Sequence, residues 1–198
     1  MADDDQSYRL PKRVTLNVAA IYLPTYNKPT DFGNFKAAET LLEKHNIGLQ
    51  LWPAGGKKLA TNSLPTYSEP IKDNRAAYQQ LAKDIFEFLK NKAPGYPFVQ
   101  PVVFCDFQVS AVAITPHASK VGLAAPLCLV SSRIQTMKDN MTILHEMGHA
   151  VLYPDASHAA KRGDLMHEAD GRKYMTKKQV EAFGKAYFAR ATKSDVDS

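Results

Sequence analysis

His145-Glu146-Met147-Gly148-His149 is the stretch that decides how the rest of the chain is read. It spells H-E-x-x-H inside a segment of helical periodicity that begins at Asp139 or Asn140 and runs to about Tyr153, where Pro154 stops it. Residues four apart on an α-helix lie on one face, one turn above the other. His145 and His149 therefore aim two imidazoles at one point, the usual start of a zinc site. Glu146 projects near the same point. A carboxylate there can take the proton of a water as it attacks a carbonyl.

Downstream come Asp155, His158 and Gly163-Asp164-Leu165-Met166-His167. A third ligand candidate and a Leu-Met turn at this distance resemble the metzincin zinc peptidases. That family's pattern is H-E-x-x-H-x-x-G-x-x-H, or Asp as the last ligand, followed by a methionine turn beneath the metal. The resemblance covers about residues 138–190. It implies one catalytic zinc ion, Glu146 as general base and Met166 as the packing floor under the ligands. It also implies an endopeptidase acting on a peptide or protein substrate. The fold it implies is α/β (α+β): a twisted mixed sheet with backing helices, an active-site helix, a Met-turn and a C-terminal helix.

The third ligand is where this chain departs from the family. Counting forward from His149, the family spacing lands on Asp155. Counting back from Met166, it lands on His158, three residues later. The family's glycine after the helix is Leu152 here, and a Cβ disfavours the sharp left-handed turn. A longer exit from the helix then delivers His158, and imidazole is the commoner zinc donor. His145, His149 and His158 are the preferred ligand set. Asp155 is the alternative, or an outer partner orienting an imidazole. Glu168 is a weaker candidate, because 161–171 does not read as a strong helix. His45 and His117 lie far off and read as surface or structural residues.

The chain has 198 residues and 44% hydrophobic composition, enough for one domain with a sizeable core. Residues 1–198 read as a single metallopeptidase domain, with 1–12 and 192–198 loosely ordered. No apolar run approaches the roughly 18 residues of a membrane span. The polar, acidic start Met1-Ala2-Asp3-Asp4-Asp5-Gln6 lacks an apolar signal region. The expectation is a cytoplasmic protein, or one exported by a signal-peptide-independent route, and a monomer. Net charge is +5, but Lys57-Lys58, Lys161-Arg162 and Lys177-Lys178 are isolated pairs, so no nucleic-acid partner is expected. Cys105 and Cys128 have no C-x-x-C partner, and either one disulfide or two buried thiols is open to them.

The remaining segments read in order. Strands are expected at 14–23 and 47–52, with a helix over 32–45 between them and a long loop at 57–72. A second helix at about 74–92 puts Ala77, Leu81, Ile85, Phe88 and Leu89 on one face. Strands follow at 98–107 and 111–115. In the run 122–130, Pro126 lacks an amide hydrogen, which points to an edge position. By the resemblance, that edge takes the substrate by strand addition, through Gly122, Leu123, Ala124 and Ala125. Thr176, with Gln179 three residues on, opens a final helix through Val180, Phe183, Ala186, Tyr187 and Arg190.

The competing function is a catalytically silent, zinc-stabilised binding or toxin-like module. Glu146 weighs against it, since a purely structural site needs no carboxylate there. Such a site would be closed by four ligands, with Asp155 and His158 both bound.

Overall fold

Val14–Tyr22 (β1) is the strand on which the sheet is assembled. Leu16, Val18, Ala20 and Tyr22 belong to one buried cluster, and Ala19, Ile21 and Leu23 to another. That alternation is the period of two that a strand requires, here with both faces covered. The computed structural model describes residues 6–23, 26, 32–52, 75–93, 95–105, 113–115, 126–136, 140–152 and 157–191.

β1 pairs in parallel with Ile47–Trp52 (β2) and with Gln100–Phe104 (β3). β3 pairs in parallel with Cys128–Val130 (β5), and Ala113–Ile114 (β4) runs antiparallel to β5. The order is β2-β1-β3-β5-β4, with a sixth strand, Ala189–Ala191 (β6), antiparallel to β1. Four α-helices are described: Phe32–Glu43 (α1), Arg75–Lys92 (α2), Thr142–Val151 (α3) and Lys177–Gly184 (α4). The fold is mixed α/β, a twisted mixed sheet with helices on both sides, as the sequence leads one to expect.

The two faces are unequal. α1, α3 and α4 pack on one, through residues such as Leu42, Leu144, Met147, Val180 and Phe183. α2 covers the other with Leu81, Ala82, Ile85 and Leu89. Leu81, Ile85 and Leu89 recur every four residues and are fully buried. Each such burial contributes ~1.5–3 kcal/mol. Helix propensities of ordinary residues differ by at most ~0.7 kcal/mol, so packing, not propensity, holds α2.

Four expectations need correction. The run ending at Val130 is not an edge: β5 lies between β3 and β4, and β4 holds the edge on that side among the described residues. Pro126 precedes β5, where its missing amide removes no ladder bond, and its carbonyl accepts from Gln100 Nε2 at 3.1 Å. Gly122, Leu123, Ala124 and Ala125 lie outside the described residues. The final helix stops at Gly184, and Arg190 sits in β6 instead. The reason lies in β1: β2 occupies one of its sides, and β3 reaches only Val18–Tyr22 on the other. β6 fills the gap that remains beside Val14–Leu16.

The arm before β1 is fastened from Tyr8 onward. Leu10 N donates to His45 O at 3.1 Å, and buried His45 meets the Tyr8 carbonyl through Nδ1 at 2.7 Å. His45 is thus structural. Residues 192–198 lie outside the described residues. Finally, α3 starts at Thr142, because Asn140 has a left-handed backbone (φ 53°) that no helix accommodates. Cys105 and Cys128 are both buried free thiols.

α4 opens with a reciprocal cap. Gln179 N donates to Thr176 Oγ1 at 3.4 Å, and Thr176 N donates to Gln179 Oε1 at 2.9 Å. Gln179 Nε2 also donates to Asp164 Oδ1 at 2.7 Å, which ties the helix to the turn before it. Thr176→Ala is expected to lower stability by about 1 kcal/mol. Urea unfolding should show an earlier midpoint at unchanged slope, and an unmoved midpoint would mean the cap is idle.

Candidate metal centre

α3 is buried from Thr142 to Gly148, so His145 projects into protein, while His149 is half-buried. His145 Nδ1 meets the Leu165 carbonyl at 2.8 Å. A carbonyl only accepts, so Nδ1 carries the hydrogen and Nε2 keeps its lone pair for the site. Burial, aided by the nearby Arg172 charge, pushes the His145 pKa down to about 3, against the pull of the Leu165 carbonyl. His145 is therefore neutral at physiological pH, as a metal ligand must be.

His149 Nε2 lies 3.1 Å from His145 Nε2. His158 joins them: its ring centroid is 5.3 Å from that of His145 and 5.0 Å from that of His149. One nitrogen from each of the three lies within 4.8 Å of the others. Two nitrogens on a tetrahedral zinc, each bonded at ~2.0–2.1 Å, stand about 3.3–3.4 Å apart. The 3.1 Å separation in the helical pair is close to that. Three imidazoles on one point, the first held by a backbone acceptor, fit a zinc ion.

His158 is held near the helix by the turn that follows. Ala159 N donates to Met166 O at 2.9 Å, and Ala159 bridges His167. The turn is itself tightly bonded: Met166 N donates to Asp164 Oδ1 at 2.7 Å, and Leu165 N to Tyr174 O at 2.9 Å. Gly163 (φ 95°) supplies the left-handed step this path requires. Met166 is 2% exposed and lies against Gly148 so closely that a Cβ there would meet its sulfur at 2.4 Å. A Cβ at 148 would push the Met166 side chain out of this position.

Glu146 is buried beside the triad. Burial pushes its pKa up to about 7, while the Thr115 hydrogen bond and the Arg172 charge pull it down. A carboxyl poised there can both take and return a proton near neutral pH. Thr115 Oγ1 donates to Glu146 Oε2 at 2.6 Å. Arg172 is buried, with Nε on the His167 carbonyl at 2.8 Å and Nη2 on the Glu168 carbonyl at 2.9 Å.

Asp155 lies outside the described residues, as do His117 and Tyr153. Glu168 is exposed and stands apart from the triad, and His167 turns its Nδ1 to Ala169. Thr115, Arg172 and the Leu165 carbonyl are the members that sequence reasoning does not find. A lone threonine after a short strand carries no signal, and a backbone carbonyl has no side chain to read. At the helix end, Leu152 keeps a right-handed backbone (φ −92°), as its Cβ requires.

No family model matches this chain, and no curated protein matches it. Among solved structures it is similar to a zinc-dependent peptidase from Methanocorpusculum labreanum (strain Z). The two are 10% identical, the match covers 83% of this chain and 92% of that one, and the TM-score is 0.44. A likeness of that size says nothing of chemistry, which is read from the side chains.

Proposed function

We propose that this chain is a zinc-dependent endopeptidase, with His145, His149 and His158 as metal ligands and Glu146 as general base. The observation that carries the reading is the convergence of three imidazoles, two of them from α3, beside the buried carboxyl of Glu146 on that helix. When bound, zinc supplies Lewis acidity, polarising a carbonyl and making water acidic near neutral pH.

The chain's own groups do the rest. The Leu165 carbonyl holds His145 in the tautomer that points Nε2 inward. Glu146 takes the proton of the attacking water and passes it to the leaving amine. The edge strand β4 ends at Ile114, one residue before Thr115 and its bond to Glu146. A peptide added to that edge as a further strand would lie next to the base. Gly122–Ala125, in the connection from β4 to β5, is the further candidate for contact with the substrate.

Elemental analysis of the protein as purified is expected to find about one zinc per chain. A chelator should then abolish cleavage of a peptide library, and zinc should restore it. A protein with no zinc, and none taken up on incubation, would end the reading. Zinc bound with no peptide cleaved would favour the silent zinc-stabilised module instead.

A further inference from the structure

We infer that Thr115 is the positioning residue for Glu146, fixing the carboxylate that the proposed peptidase uses as its base; the inference rests on that reading of the site.

The register places it there. Ala113 pairs with Val130 and Ile114 with Leu129. One step further in this antiparallel register, Thr115 stands opposite Cys128, and directly opposed residues share a face. That face is the one against α3: Ala113, Cys128 and Val130 pack in the cluster that holds Leu144 and Met147. Ile114 and Leu129 point to the other side. The pleat alone thus carries the Thr115 hydroxyl toward the helix bearing Glu146.

The bond has a fixed direction. At 2.6 Å from Oγ1 to Oε2 it has the length of a charge-assisted hydroxyl–carboxylate hydrogen bond. A hydroxyl has one hydrogen, and an ionised carboxylate can only accept, so that hydrogen goes to Glu146. The other groups facing Thr115 must then donate to it or stay neutral. The Cys128 thiol lies opposite Thr115 in this register and is fully buried. Burial holds the thiol far above its usual range, so it keeps its proton and brings no second negative charge beside Glu146. Behind it, Gln100 Nε2 lies 3.5 Å from the sulfur. A carboxylate held through one oxygen presents the other.

A purely structural Thr115 would affect folding and leave turnover per folded molecule alone. The test compares zinc-loaded wild type with Thr115→Val, which keeps the shape and loses the donor, and Thr115→Ser, which keeps the donor. Thr115→Ala serves in place of valine should the latter not fold. Steady-state cleavage of one peptide and the 13C NMR signal of the Glu146 carboxyl carbon, assigned by its loss in Glu146→Gln, are measured together.

Expected for Thr115→Val is a roughly tenfold lower kcat, the low end for removing an outer partner, with KM and zinc content unchanged. The carboxyl signal should move, and Thr115→Ser should restore both kcat and signal. A valine variant with wild-type kcat and an unmoved signal overturns the inference. Should the wild type cleave no peptide, the peptidase reading fails on its own. The carboxyl signal then decides: moved in valine and restored in serine supports the positioning role, and unmoved refutes it.

Discussion

Glu146→Gln is expected to lower peptide cleavage by about 10³-fold, within the range a general base contributes, while zinc stays bound. Glutamine keeps the shape, and its carbonyl oxygen can still accept the Thr115 hydrogen found at 2.6 Å in the wild type. The fold should therefore survive. The amide cannot take a proton from water, so the chemical step should fail with little change in KM.

The same substitution should stabilise the metal-free protein. The Glu146 pKa lies at about 7, above its ordinary 4.5, chiefly through burial. Below pH 4.5 the carboxyl is neutral folded and unfolded. As pH rises from there to about 7, the unfolded chain ionises and the folded chain resists. Stability is lost across that window, on the order of 3 kcal/mol by the linkage relation. Glutamine escapes this loss, so its advantage should appear above pH 7 and vanish below pH 4.5. Full activity in Glu146→Gln would remove Glu146 from the role of base, whatever its effect on stability.

His158→Ala should release the metal, and Asp155→Ala should not. His158 is the exposed member of the triad, so little packing is lost with its ring. Surface changes of that kind shift stability by roughly 0.5 kcal/mol or less. The metal-free variant should melt with the wild type. What should disappear is the rise in Tm that added zinc gives a folded site. Zinc affinity should fall by more than the ~10–100-fold typical of losing an outer partner. If Asp155→Ala loses the metal and His158→Ala keeps it, the third ligand is Asp155 and the shorter family spacing holds.

Local signals were readable to the extent that they depend on near neighbours. The apolar, β-branched run of β1, the four-residue spacing in α2 and the Thr176–Gln179 cap follow from residues close together in sequence. So does the pairing of His145 with His149, which the helix pitch imposes. Where distant segments decide, the reading runs out. Pro126 suggested an edge, but its position just outside β5 left that strand free to pair on both sides. Arg190 fitted a helical spacing, yet the open flank of β1 draws it into a strand. Thr115 reaches Glu146 across 31 positions, and the tertiary fold alone brings them together.

The strand β6 has a consequence for how the chain is made. Leu16 pairs with Ala189, so β1 leaves the ribosome long before the strand that completes its flank. Contacts this far apart in sequence are the slow ones to form. Until they do, the amides and carbonyls of Val14–Leu16 stay open on one side, as a template for any other strand nearby. The nascent protein is thus open to self-association along Val14–Leu16 until β6 has been made and docked.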